Sequence, residues 1–367
     1  MHNDFSGFWS GARTLVDGES PFDAAAFAQT FARYGTQQPD TAVFGYPAWT
    51  AIALVPLALL PVPIASSIWT VGTITLGIIA VRALLGRLSP RRPVVHGLVG
   101  LSLLTAQAAR VTVLLGQWGF LLLAATAATV VWLLSGHPRR AGVTTVIFLA
   151  KPHLFVGAIF GLAVSAFARG VARRYVGTAV VAVALVVAAS AILIPGWWNA
   201  WLSAVPARRL FDPPQTTTLA TVLYGLWGRE GTRLALVILA AGAIATAGFH
   251  PRSEGWLALW LCLSPAIAVY AWSYDQILLI IPMVMTGAIA GRHSERRAVI
   301  VVGLWTVLLS VFSTFLAVIA AQRAQESYTA IVPLLGFLLT LVVAWPERAL
   351  FNRSTRADAL PPNSVGG

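Results

Sequence analysis

Long apolar blocks alternate with short polar clusters along most of this 367-residue chain. The blocks run from about Ile64 to Trp345, and the clusters between them contain Arg, Pro, Gly or His. A helix needs roughly 20 apolar residues to cross a bilayer, whereas the strands of a membrane barrel alternate between apolar and polar positions. The pattern therefore predicts an all-α, polytopic membrane protein.

The blocks predict a bundle of about 11 transmembrane helices, including short or broken ones. They cover residues 64–85, 94–115, 118–135, 141–150, 154–168, 176–194, 232–249, 256–272, 277–290, 298–320 and 330–345. The blocks 141–150 and 154–168 are each shorter than a crossing needs, so we expect a broken pair with a turn at Lys151-Pro152. The proline-bounded block 46–63 is predicted to be a partial or re-entrant helix, with a full crossing as the alternative.

Basic clusters between the blocks predict the orientation of the chain in the membrane. The positive-inside rule places these clusters in the cytoplasm: "GRLSPRRP", "GHPRR", "ARGVARR", "FHPRSE", "GRHSERR" and "PERALFNRSTR". The outer turns then hold most of the polar residues capable of chemistry. We expect an outer loop with short interfacial helices, broken at "DGESP", over residues 1–45. Residues 46–346 would form the transmembrane bundle and 347–367 a disordered cytoplasmic tail.

Composition supports the membrane assignment and excludes several other classes. The chain is 57% hydrophobic and only 10% charged, whereas soluble domains carry about a quarter of charged residues. The net charge of +12 comes mostly from the loop clusters, so it indicates topology and not a nucleic-acid partner. A single cysteine, Cys262, excludes an intrachain disulfide. No metal-type His or Cys spacing, Gly-rich phosphate loop or serine nucleophile motif is present.

Asp4 stands out in the first outer segment. It is followed by the aromatic residues Phe5, Phe8 and Trp9. A carboxylate at the outer membrane surface, partly desolvated by aromatic neighbours, is able to take a proton from a substrate hydroxyl. A solvated terminal acid is the alternative interpretation.

Lys151 lies in "FLAKPHLF", between two apolar segments. An ammonium group inside a membrane is costly, which makes this lysine a candidate functional residue, and a phosphate would justify its position. The alternative is a lysine that extends its charge to the membrane interface. His153 is either a second hydrogen-bond donor to the same group or an interfacial side chain.

Three arginines also require an explanation. Arg110 lies within an apolar run and needs an anionic partner, either a structural one such as Asp275 or the phosphate of a bound lipid. Arg208 and Arg209 lie on the outer side, against the general bias of basic residues. They are either phosphate ligands or an ordinary solvated pair.

Polar residues at two outer helix boundaries complete the candidate set. Asp275 in "WSYDQILL" is either a helix cap, an arginine partner or a site residue. Tyr274 and Gln276 beside it are suited to binding sugar hydroxyls. Gln117 in "GQWG" is either a turn residue or a site residue.

Four stretches in this order resemble glycosyltransferase family 87, the polyprenol-phosphate-dependent hexosyl or mannosyl transferases of the C-type superfamily. They are "DFSGFWSGARTLVDGESPFD", "FGYPAWTAIALVPLALLP", "GQWGFLLL" with "AGVTTVIFLAKPHLF", and "YAWSYDQILLIIP". The chain departs from the pattern of the family that it resembles at four positions. It has Ala48, Trp118, His153 and Gln276 where the family pattern has Pro, Asn, Gln and Leu, respectively. These departures bear on substrate identity more than on fold.

The resemblance implies a C-type glycosyltransferase-like bundle in a plasma membrane, with the active site facing outside. The composition is typical of a bacterium, and the basic tail predicts a cytoplasmic C-terminus. The resemblance further implies an inverting transfer of a hexose, with mannose as one candidate, from a polyprenyl-phosphate donor to a glycolipid or cell-envelope glycan. Membrane lipid is a further partner, and nucleic acid is not. No cofactor is implied, although some relatives use a divalent ion, for which this sequence offers no acidic cluster.

The resemblance also implies roles for particular residues. Asp4 corresponds to the general base of the first outer loop. The phosphate-binding candidates are Lys151, His153, Arg110, Arg208 and Arg209. The sugar- or acceptor-binding candidates are Gln117, Tyr274, Asp275, Gln276, Tyr46 and Trp9.

Two rival interpretations stay open at this point. A secondary transporter or flippase also uses broken helices and intramembrane arginine, but it should show internal repeats, and none is found. A truncated, inactive family member is the other rival, because relatives have a transmembrane helix before the acid and the sequence before Asp4 has none. A start codon assigned too late is the favoured explanation of that difference.

Overall fold

The computed structural model describes residues 4–35, 44–207, 216–268, 270–323 and 326–358, and every regular element in these ranges is helical. The chain begins with α1 (Asp4–Val16), α2 (Ala24–Tyr34) and α3 (Ala48–Ala58). The described ranges then continue with α4 (Val62–Leu88), α5 (Pro93–Thr105), α6 (Gln107–Leu115), α7 (Gly119–Leu134), α8 (Pro138–Thr144), α9 (Val156–Ala168), α10 (Ala172–Leu193), α11 (Trp197–Ala207), α12 (Leu219–Thr246), α13 (Glu254–Ile267), α14 (Ile280–Gly291), α15 (Glu295–Thr306), α16 (Ser313–Arg323) and α17 (Ile331–Asp358).

Five helical spans in the described part of the chain are long and apolar enough to cross a membrane, and the bent pair α5–α6 makes a sixth. The five are Val62–Leu88, Ala172–Leu193, Ser273–Gly291, Glu295–Gln322 and Glu326–Pro346. The all-α membrane bundle is confirmed, but the predicted count of about 11 crossings is not. Several predicted crossings form helices of only 13 to 16 residues, such as α9 and α7, which is short for a full span.

The break predicted at Lys151-Pro152 is present. Lys151 has φ −141° and ψ 69°, and 3-10 turns flank it at Thr145–Ala150 and Pro152–Phe155. Proline disfavours helical geometry at the residue before it, which explains why the chain leaves the helix at Lys151. A second break, at Ala106, bends α5 against α6 by 46° within the block predicted as the continuous span 94–115.

The α3 helix is too short to cross a bilayer. It has 11 residues, and at 1.5 Å per residue it is about 16 Å long, against roughly 30 Å for the hydrocarbon core. The prediction of a partial helix in block 46–63 therefore holds for α3, and the full-crossing alternative is wrong.

The first segment packs firmly on the bundle. Phe5 and Phe8 are buried, and Trp9 donates its indole N–H to the carbonyl oxygens of Leu57 and Leu60 at 3.2 and 3.1 Å. The chain leaves helical geometry between α1 and α2, where "DGESP" predicts a break. These contacts tie α1 to the end of α3, so the N-terminal helix has a fixed position on the bundle.

Among the described residues, basic clusters between the apolar blocks gather at one end of the bundle. Arg87 donates to a carbonyl oxygen at the end of α7, and Arg92 donates to the carbonyl oxygen of Gly291 at the end of α14. Arg169 donates to the carbonyl oxygen of Arg252, just before α13. We refer to this region as the basic end.

Candidate functional site

Asp4 lies in the first turn of α1 and contacts a glutamine that is distant along the chain. Its Oδ2 accepts a hydrogen bond from Nε2 of Gln117 at 2.6 Å. The side chain of Asp4 is partly exposed, and a helix N-terminus favours a carboxylate. A carboxylate that is held by a defined donor and is still partly exposed is suited to accepting a proton.

The turn that carries Gln117 is held from several directions. Gly116 ends α6 in the left-handed region with φ 66°, which glycine adopts without steric cost. The backbone N–H of Gln117 donates to the carbonyl oxygen of Thr112 at 3.0 Å, and the indole of Trp69 donates to that of Gly116 at 2.9 Å. The side chain of Gln117 is only 3% exposed, so its amide occupies a rigid position.

Five aromatic rings form a wall beside Asp4. Phe5 stacks on Trp69 at 5.9 Å, and Trp69 meets Trp118 edge-on at 4.8 Å. Phe8 meets Tyr46 edge-on at 4.8 Å and lies 5.7 Å from Trp118. This aromatic wall supplies the partial desolvation that the sequence predicts for the acid.

Lys151 and Asp275 form a buried ion pair. Nζ of Lys151 lies 2.7 Å from Oδ1 of Asp275, and the two side chains are 2% and 1% exposed. Oδ2 of Asp275 accepts the backbone N–H of Trp272 at 3.0 Å, and the ammonium lies 4.4 Å from the ring centroid of Tyr274. Buried charges persist only where partners satisfy them, and these contacts do so.

Tyr46 lies within electrostatic reach of both acids. Burial of the phenol raises its pKa well above the ordinary value of 10.0, and Tyr270, Asp4 and Asp275 raise it further. The Asp4–Gln117 contact and the Lys151–Asp275 pair therefore border one shared region.

His153 lies close to Tyr270, Lys151 and Asp275. Its ring meets that of Tyr270 edge-on at 5.2 Å, and both Lys151 and Asp275 act on it electrostatically. Its Nε2 is buried and has no hydrogen-bond partner within the described ranges. The structure thus brings His153 close to Lys151, as their spacing suggests.

Arg110 lies away from this region. Its side chain is exposed and donates to the hydroxyl of Thr314 at 2.6 Å. The suggested pairing of Arg110 with Asp275 is wrong, because Lys151 is the partner of that acid.

The other predicted residues divide into two groups. Trp9 and Gln276 are engaged within the fold, because Trp9 binds carbonyl oxygens of the α3 end and Gln276 donates to the carbonyl oxygen of Thr329 at 2.8 Å. Arg208 and Arg209 lie outside the residues that the structure describes.

Sequence reasoning missed several contributors to the region. Trp69 supports both the aromatic wall and the turn at Gly116, although 47 residues separate the two in the chain. The backbone N–H of Ser273 donates to the carboxylate of Glu326 at 3.3 Å, which adds a further acid nearby. No local pattern signals such contacts. Over the described ranges, no group of three or more His, Cys, Asp or Glu is placed to hold a metal ion.

Comparison with known proteins gives one result. The model of glycosyltransferase family 87 matches residues 44–282, a range that includes Gln117, Lys151 and Asp275. No curated protein and no solved structure matches the chain.

Proposed function

The chain belongs to glycosyltransferase family 87, and on this premise we propose that it transfers a hexose, with mannose as the first candidate, from a polyprenyl-phosphate donor. The acceptor is a glycolipid or a cell-envelope glycan. The observation that carries the proposal is the partly exposed carboxylate of Asp4, held by Gln117 near the Lys151–Asp275 pair. A base and a cation beside one region are what a glycosyl transfer from a lipid phosphate requires.

The proposed reaction is a single in-line displacement. Asp4 takes the proton of the acceptor hydroxyl while that oxygen forms a bond to the anomeric carbon. The bond from the anomeric carbon to the phosphate oxygen breaks, and the polyprenyl phosphate leaves with the electron pair. Attack opposite the leaving group inverts the anomeric configuration.

Cationic and neutral donors stabilise the leaving phosphate in this proposal. An ammonium has three N–H donors, and Asp275 takes one of those of Lys151. His153 lies close by with Nε2 unpartnered within the described residues. Arg208 and Arg209 complete the proposed ligands of the leaving phosphate. Because Arg110 binds Thr314 on an exposed face away from the site, its proposed role is to bind lipid phosphate at the surface.

The aromatic and polar residues of the region form the proposed sugar and acceptor site. Tyr46 is one ring of the aromatic wall, and Tyr274 lies against the ammonium of Lys151. Gln117, Asp275, Gln276 and Trp9 belong to the same proposed set. Trp9 and Gln276 would act by fixing the helices that carry the others, since their side chains bind backbone carbonyl oxygens.

The proposed location is a bacterial plasma membrane, with the region around Asp4 outside and the C-terminus in the cytoplasm. Two observations support this orientation. The arginines of the loop clusters gather at the basic end. In addition, α4, α7 and α14 each begin near the candidate site and end at the basic end.

The proposal is tested by Asp4→Asn, which keeps the shape of the side chain and removes its basicity. Membranes containing the protein, polyprenyl-phosphate mannose with a labelled sugar, and extracted glycolipid acceptor give the transfer rate. We expect a loss of about 100-fold or more. Asp23→Asn is the matched control, because Asp23 caps α2 and asparagine caps a helix equally well. Full transfer by the Asp4→Asn variant would remove Asp4 as the base.

A further inference from the structure

The amide of Gln117 has a defined orientation toward Asp4. Its Nε2 lies 2.6 Å from Oδ2 of the carboxylate. An ionised carboxylate only accepts hydrogen bonds, so the amide must present N–H to it and turn its oxygen away. At this distance the contact is a strong, charge-assisted hydrogen bond.

Gln117 is anchored independently of Asp4. The backbone of its turn is held by the N–H bond to Thr112 and by the indole of Trp69 on the carbonyl oxygen of Gly116. Gly119, two residues later, packs so closely that an added Cβ would lie 2.7 Å from the hydroxyl of Thr112. The amide of Gln117 therefore keeps its position independently of Asp4. It favours one position for the Oδ2 atom of Asp4.

The aromatic wall lowers the polarity on one side of Asp4. Tyr46 and Tyr274 lie within electrostatic reach of its carboxyl group. The α3 helix contributes no titratable side chain, and on α4 these are only Arg82 and Arg87. Low polarity favours the protonated carboxyl, whereas a donor such as Gln117 favours the carboxylate.

We propose that Gln117 is the positioning residue of the base, holding the carboxylate of Asp4 ionised and facing one direction. This inference rests on the proposed function, in which Asp4 accepts the proton of the acceptor. It differs from a role in binding sugar or acceptor, because its effect reaches the substrate through Asp4. Loss of the amide N–H leaves the base present but protonated over a wider range of pH.

The test measures the pH dependence of kcat in two variants, with the labelled polyprenyl-phosphate mannose assay. Gln117→Met keeps the length and removes the donor, and we expect the acidic limb to move up by about one pH unit with kcat lowered about tenfold at neutral pH. Gln117→Glu is isosteric and places a second carboxyl against the first, so the acidic limb should move further, with activity returning at high pH. KM for the donor should change less than twofold in both variants.

Gln107→Leu is the matched control. Gln107, the first residue of α6, is also a buried glutamine, but its amide donates to Ser273 at 3.2 Å and not to Asp4. We expect its pH profile to match the wild type, even if its rate is lower. Thermal unfolding of each purified variant identifies any that is misfolded.

The outcomes separate this inference from the proposed function. Activity retained in Asp4→Asn would overturn the proposed function itself. Activity lost in Asp4→Asn, together with an unshifted acidic limb in both Gln117 variants, would overturn only the positioning role. A raised KM with an unshifted limb would assign Gln117 to substrate binding instead.

Discussion

At the scale of residues, the Lys151–Asp275 pair shows how burial determines the contribution of an ion pair to stability. Both side chains are almost fully buried and lie 2.7 Å apart, and Trp272 satisfies the second oxygen of the acid. By contrast, Arg233 and Glu230 form an ion pair whose side chains are 74% and 71% exposed. Removal of one partner from the buried pair leaves a charge that nothing compensates, whereas water solvates the charge that remains in the exposed pair.

This contrast predicts a difference in stability. Asp275→Asn should lower the free energy of unfolding by about 3–5 kcal/mol, because Lys151 loses its counter-charge in a buried position. Glu230→Gln should change it by less than about 1 kcal/mol, because water screens the exposed pair. Chemical denaturation in mild detergent measures both. Equal effects in the two variants would contradict the assignment of a buried pair.

Among the helices, α9 and α13 pack through glycine. The α9 sequence contains Gly157 and Gly161 four residues apart, a spacing that allows close approach of membrane helices. A Cβ added at Gly161 would lie 2.6 Å from the Cβ of Trp260, and one at Gly157 would lie 3.0 Å from the Cα of Ser264. This packing fixes α9 directly after the break that carries Lys151.

Glycine-to-alanine substitutions should therefore have opposite effects at two helical sites. Gly161→Ala should destabilise the protein by about 1–3 kcal/mol, because the helices must separate. Gly177→Ala in α10 should stabilise it by about 0.5–1 kcal/mol, because an added Cβ there meets nothing within 4 Å and alanine favours the helix. Thermal unfolding in detergent compares them. A Gly161→Ala variant as stable as Gly177→Ala would show that the two helices do not pack in this way.

Over the whole molecule, the chain separates its charges between two ends. Asp4, Lys151 and Asp275 belong to the candidate site, whereas Arg87, Arg92 and Arg169 of the loop clusters lie at the basic end. Helices that begin at one end and finish at the other maintain the separation. If the protein has one fixed orientation in the membrane, its two ends face different compartments.

Single-cysteine labelling tests this orientation in intact cells. In a Cys262→Ala background, Asp23→Cys should react with a membrane-impermeant maleimide, whereas His293→Cys should react only after the membrane is opened. Both positions are exposed, and Cys262 is buried. The reverse pattern of labelling would contradict the proposed orientation.

The sequence by itself determined the features that depend on neighbouring residues. Apolar blocks predicted an all-α membrane protein, and proline predicted the break after Lys151, because hydropathy and backbone sterics act over short stretches. The order of the motifs also indicated the family that the match over 44–282 shows. Asp4 was selected in the same way, by its type and its aromatic neighbours, and its role as base stays a prediction.

The tertiary structure alone decided which residues meet. Lys151 reaches Asp275 across 124 residues and Gln117 reaches Asp4 across 113, while Arg110 binds Thr314 on an exposed face. Such pairings depend on which faces of distant helices pack together, and hydropathy does not encode this. The number of crossings was also beyond the sequence, because an apolar block of intermediate length forms either a span or a short packed helix, and packing determines which.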